Sequence, residues 1–216
     1  MTHPRATVSL ALTLALTLGP SCAVEGPASP SAATQEELEE YAGIEALPSL
    51  TISGTVSDLT PLSSLRSLSL LVIALTSELT TLRGLENLQD PAEPGSPPVL
   101  WIHLYENAAL EDVSALSMPR LRGFSVQQGN ASLVNLVLGP VEEVDEVNLS
   151  DAVELMRFAA PSLRAIHGEL DISGTPLCEV DLPALEELGS LSYLVDPPCW
   201  PEEDQAALLA QTQPAE

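Results

Sequence analysis

Short alternations of apolar and polar residues return along the chain at a nearly fixed interval. The apolar pairs are Leu50/Ile52, Leu71/Ile73, Ile102/Leu104, Phe124/Val126, Val147/Leu149, Leu170/Ile172 and Leu191/Tyr193. Successive first members lie 21, 31, 22, 23, 23 and 21 residues apart. The one long interval holds Gln89 to Pro98 (QDPAEPGSPP), a loop insertion with four prolines. A period of about 22 residues is the mark of a solenoid that forms one short strand per coil. Alternation turns the Leu and Ile side chains of each strand inward. Further apolar residues, mostly three apart, carry the chain back around the core: Leu59, Leu62, Leu65 and Leu68, then Leu79, Leu82, Leu85 and Leu88. Leu177, Val180, Leu182, Leu185 and Leu188 do the same later. One coil cannot bury its apolar side alone, so coils must stack and their strands pair in parallel. The expected fold is an α/β solenoid over residues 44–195, with the insertion at 89–98 as a loop.

A stack exposes an apolar cross-section at each end, which atypical segments must close. Thr34-Gln35-Glu36-Glu37 is a capping box, Thr34 as N-cap and Glu37 reaching back. It predicts a capping helix over 34–43 that runs to about Ala42 and stops at Gly43. Residues 196–216 are the C-terminal cap and tail. There Pro201 suits a first helical turn, Glu202, Glu203 and Asp204 complement the helix dipole, and Ala206, Leu209 and Ala210 can share a face.

The resemblance to a known family lies in particular phrases. Val56-Ser57-Asp58-Leu59-Thr60-Pro61-Leu62-Ser63-Ser64-Leu65, with Gly43 to Leu50 before it, resembles the bacterial internalin-type leucine-rich repeat. Leu163-Arg164-Ala165-Ile166-His167-Gly168-Glu169-Leu170-Asp171-Ile172-Ser173-Gly174, continued by Val180 to Leu185, is similar to receptor L-domain repeats. Together these likenesses cover residues 43–195 and imply a right-handed coil. The asparagine of internalin-type repeats has counterparts only at Asn107 and Asn130, and Gly54 stands in its place in the first coil. That departure favours an irregular, L-domain-like coil toward the C-terminus. Fold alone names no ligand.

The first residues read as an address. Arg5 precedes the apolar run from Ala6 to Leu18, which is shorter than the roughly 20 residues that span a bilayer. Residues 1–22 therefore read as a signal peptide. Ser21 and Ala23 fit an ordinary cleavage site. Alternatively, Leu18-Gly19-Pro20-Ser21-Cys22 resembles a lipobox, with Cys22 carrying the lipid, and this lipoprotein reading is the preferred one. Residues 23–33, rich in Pro, Ala and Ser, would be a disordered tether. Cys178 and Cys199 then remain as an even pair, which an oxidising compartment joins as a disulfide. With Cys199 just before the C-terminal helix, the bond would pin that helix to the last coils.

Composition removes several functions. The chain of 216 residues carries 31 Asp and Glu against 7 Arg and no Lys, a formal charge of -24. Such a surface repels phosphate backbones and anionic headgroups, so no nucleic-acid partner and no membrane contact beyond a lipid anchor are expected. A 45% hydrophobic share argues against disorder.

The usual catalytic phrases G-x-S-x-G, G-x-x-x-x-G-K-[ST] and H-E-x-x-H are absent, and without Lys a phosphate loop could not be completed. His103 and His167 fall in different coils. His167-Gly168 is similar to a His-Gly pair in polysaccharide-cleaving β-helix hydrolases, but the grouped Asp residues and Arg-x-Lys element of those enzymes are missing. Glu142, Glu143, Asp145 and Glu146 could attract Ca²⁺ but lack D-x-D-x-D-G spacing, and read better as a solvated turn. Asn130-Ala131-Ser132 and Asn148-Leu149-Ser150 match the glycosylation sequon, which a bacterial envelope protein would usually leave unused. No cofactor and no metal are expected.

With Ile102 and Leu104 inward, Trp101, His103 and Tyr105 fall on the outer face. Neighbouring strands add Ser125 and Gln127, Asn148 and Ser150, and Asp171. Exposed aromatics among amides and carboxylates suit a contact patch for protein or glycan; alternatively Trp101 packs on the proline-rich insertion and Tyr105 covers strand edges. The expected protein is an exported cell-surface or envelope module for recognition or adhesion, not an enzyme. Its rivals are a polysaccharide-acting β-helix enzyme and a structural envelope lipoprotein without a dedicated ligand.

Overall fold

The structure, a computed structural model, describes residues 29–93, 95–192 and 199–210. The signal segment, Cys22, residues 23–28 of the expected tether and Tyr193 lie outside the described residues. The chain winds in the right-handed sense as a parallel β-solenoid of about seven turns. Its main sheet has eight strands in the order β1 (Ser31–Ala32), β2 (Ala46–Gly54), β3 (Ser67–Thr76), β4 (Trp101–Tyr105), β5 (Arg120–Val126), β7 (Glu143–Asn148), β9 (Ala165–Asp171) and β11 (Glu187–Ser192). A three-stranded parallel sheet of β6 (Asn135–Val137), β8 (Arg157–Ala159) and β10 (Glu179–Asp181) forms on the return limbs, β8 in the middle.

The apolar period of the sequence is the lateral register of the main sheet. Leu50, Leu71, Ile102, Phe124, Val147, Leu170 and Leu191 are successive partners across β2, β3, β4, β5, β7, β9 and β11. All but Leu191 in this column are fully buried. Stacking thus turns a repeat along the chain into a continuous apolar column through the molecule. The insertion leaves the register intact because its ends are clasped: Asp90 Oδ1 accepts from the Val99 and Leu100 N–H groups at 2.9 and 3.2 Å.

The turn after each strand is built alike. A residue with positive φ follows the strand core in six coils: Gly54, Leu75, Glu106, Gly129, Asp151 and Gly174. At Gly54 a Cβ would meet the Ala33 carbonyl oxygen at 2.4 Å, so conformation and space both demand glycine. Leu75, Glu106 and Asp151 hold the same conformation at a cost of about 1–3 kcal/mol each.

Just inside the turns lie buried polar residues, Thr76, Asn107, Asn130 and Thr175. Asn107 Nδ2 donates to the Ile73 carbonyl at 2.8 Å and to Asn130 Oδ1 at 3.1 Å. Asn130 Nδ2 donates to the carbonyls of Leu104 and Gln127. Thr175 donates to the Leu149 carbonyl. Backbone groups that the turn withdraws from the ladder find side-chain partners here, as burial requires. Asn130 is consequently buried in this network rather than displayed as a sequon.

The ends differ in detail from expectation. Ser31 and Ala32, expected within the tether, pair with Thr51 and Ile52 as β1, and Ala32 is buried. Helix α1 spans Gln35–Glu39, with the full capping box at Thr34 and Glu37 and Leu38 buried. It is shorter than the helix expected to reach Ala42. From Glu40 onward the amides of residues 40, 41 and 42 bond to carbonyls three residues back, a 3₁₀-type tightening that ends the α-helix. Helix α2 spans Glu202–Ala210 and buries Gln205 and Leu208. The side of the helix turned to the core is thus that of Gln205 and Leu208, while Ala206 and Ala210 are exposed. Cys178 and Cys199 lie at disulfide distance, their Cα atoms 4.6 Å apart. Among the described residues no helix is long and apolar enough to cross a membrane.

Candidate recognition face

On β4 the alternation is complete. Ile102 and Leu104 are fully buried, Trp101 and His103 are half-buried on the other face, and Tyr105 is 36% exposed. The Trp101 and His103 rings stack in parallel, with centroids 5.1 Å apart and planes within 1°. Trp101 leans across the neighbouring strand onto Gly123, its register partner. A Cβ at Gly123 would lie 2.2 Å from the indole Cζ3, so the glycine is the seat of the ring. Burial holds the His103 pKa below the usual histidine value, favouring the neutral imidazole at neutral pH.

His103, Ser125, Asn148 and Asp171 stand side by side across β4, β5, β7 and β9. Their accessibility differs. Ser125 is buried to 2%, and its Oγ has no hydrogen-bond partner among the described residues. Asn148 Oδ1 accepts from both the N–H and the hydroxyl of Ser150, at 3.0 and 2.7 Å. Asp171 Oδ1 accepts from the Ser173 N–H at 2.9 Å. Asp58 with Thr60 and Asp112 with Ser114 repeat the arrangement. These residues thus start turns, and Asn148, Ser150 and Asp171 offer only their remaining polar capacity to a ligand. Gln127 and Ser150 lie past the ends of β5 and β7, so the turn carries them rather than the flat face; Gln127 is exposed.

Three features escaped sequence reasoning. Gly123 has no side chain to announce its role. Glu146 becomes the lateral neighbour of Gly123 through the β5–β7 register. The insertion also creates two clefts that share Arg120. One, of about 450 Å³, is lined by Leu88, Asp90, Met118 and Pro119 among others. The other, of about 680 Å³, lies between Ser96–Pro98 and Glu143, Asp145 and His167. Arg120 donates to the Ser96 carbonyl and lies 3.5 Å from Glu143, tying the loop to the sheet. The prolines of the insertion were the one available signal.

His167 is paired with Glu187 at 3.4 Å, on β9, apart from His103 on β4. Among the described residues no three or more His, Cys, Asp or Glu side chains converge as a metal site. Compared with protein families, with curated proteins and with solved structures, the chain matches none.

Proposed function

We propose that this protein is an exported recognition or adhesion module, an irregular leucine-rich-repeat or receptor L-domain-like coil with helical caps at both ends. It binds a protein or glycan at the cell surface through the outer face of its main sheet. The observation that carries this reading is the Trp101/His103 stack with Tyr105 on the same strand. Aromatic groups placed by a hydrogen-bonded sheet lose little conformational entropy on binding and are the side chains that dominate interfaces. A lipid on Cys22 would hold the module at the membrane, with the residues before Ser31 as leash.

Two measurements test the reading. Trp101→Ala with Tyr105→Ala should weaken capture of any partner by about 100-fold or more while the circular dichroism of the sheet stays unchanged. Unaltered affinity for a partner isolated by pull-down would remove the patch. Metabolic labelling with a palmitate analogue should mark the protein and leave Cys22→Ala unlabelled; equal labelling of both would end the anchoring proposal.

A further inference from the structure

The aromatic half of the outer face passes directly into carboxylates. Leu70, Trp101, Gly123 and Glu146 are lateral neighbours across β3, β4, β5 and β7. Because the indole lies over Gly123, Glu146 is the next side chain beyond it in that row. Glu146 is half-buried, and its side chain makes no hydrogen bond or ion pair among the described residues. In the adjoining row the Ser125 hydroxyl is buried without a partner among the described residues, between His103 and Asn148. Arg122, beside Gly123, is exposed and makes no ion pair among the described residues.

We propose that this face takes a basic segment of a partner protein, seating one arginine or lysine between the Trp101 ring and the Glu146 carboxylate. The proposal rests on the outer-face reading and narrows its partner to a cationic polypeptide. Indole faces attract cations through their quadrupole. A planar guanidinium can stack on the ring while its edge donates to a carboxylate, which an ammonium does less well. The Glu146 carboxylate has no ion pair to give up, so an incoming cation gains a charged partner without breaking an existing one. The neutral form of His103 adds no repelling charge to the platform. The charge of -24 draws a basic partner from a distance and repels acidic ones. A neutral glycan would use the rings but leave the Glu146 charge unanswered.

The test uses the purified full chain and a fluorescein-labelled twelve-residue peptide of alternating Arg and Gly, read by anisotropy. Trp101→Ala and Glu146→Gln should each weaken binding about tenfold. Glu39→Gln with Glu40→Gln, two exposed carboxylates on and just after α1, should change it less than about twofold although more charge is removed. Arg122→Gln, which takes away the competing cation, should strengthen binding about twofold. Trp101→Phe, with a poorer cation face in the same place, should fall between wild type and Trp101→Ala.

No saturable binding, or equal losses from Glu146→Gln and the Glu39/Glu40 pair, overturns the basic-segment proposal. In that event a neutral peptide or glycan array is applied. Binding there that the Trp101/Tyr105 double variant abolishes keeps the outer-face reading and discards only its cationic partner. Binding that the double variant leaves intact discards both.

Discussion

Replacing Asn107 with alanine is expected to lower the unfolding free energy by about 3–5 kcal/mol. Asn107 is fully buried in the turn after β4. Its Oδ1 accepts from the Thr76 N–H at 3.3 Å and the Thr76 hydroxyl at 2.8 Å. Its Nδ2 donates to Ile73 and Asn130. Alanine would strand the Thr76 amide and hydroxyl and the Ile73 carbonyl away from water, at about 1–3 kcal/mol for each group. Partial relaxation and water entry keep the total below the sum. Asn87→Ala is the control: that side chain is exposed and makes one bond, 2.9 Å to the Ser63 carbonyl, so its loss should cost less than about 1 kcal/mol. Urea unfolding of the two variants decides the matter. If Asn107→Ala is as stable as Asn87→Ala, the buried amide chain is not what joins these coils.

The contrast with Asn87 shows why part of this architecture is legible in the sequence and part is not. The column from Leu50 to Leu191 could be read beforehand because burial on one face enforces both the alternation within a strand and the repeat between strands. The return strands could not: Glu179-Val180-Asp181 and Arg157-Phe158-Ala159 carry little strand preference. They pair because the main sheet has already set the spacing between coils. Turn conformations divide the same way. Gly54, Gly129 and Gly174 advertise positive φ, whereas Leu75, Glu106 and Asp151 are held there by the turns stacked on either side. Asn107 and Asn130 stood out as amides, but Thr76 and Thr175 occupy equivalent places unannounced.

The candidate recognition face follows the same rule. Alternation put Trp101, His103 and Tyr105 outward, yet pointing outward is not the same as being accessible. Ser125 has the predicted direction and is nevertheless buried, in register beside His103. Gly123 decides where the indole lies, and only the lateral register reveals it. What one strand dictates was legible; what two strands decide between them was not.

The second large effect concerns the C-terminal helix. Cys178→Ala with Cys199→Ala is expected to reduce stability by about 3 kcal/mol, the chain-entropy value for a bond between residues 21 apart. The loss should be local in character. Helix α2 has nine residues, too few to persist on its own in water. Its hold on the core comes from Leu208 and from Trp200 just before it, both largely buried. Gln205 Nε2 donates to the Trp200 backbone carbonyl at 2.9 Å, which ties the start of the helix to the backbone that carries the indole. Without the bond, undocking frees the chain from Cys199 onward and wets the indole. In a Trp101→Phe background Trp200 is the sole tryptophan, so its emission should shift to the red at temperatures where the main sheet still gives a β-type dichroism spectrum. Emission that stays blue until the sheet itself melts would mean that Leu208 and Trp200 hold the helix without the bond, and the last coils would then be closed by apolar contact alone.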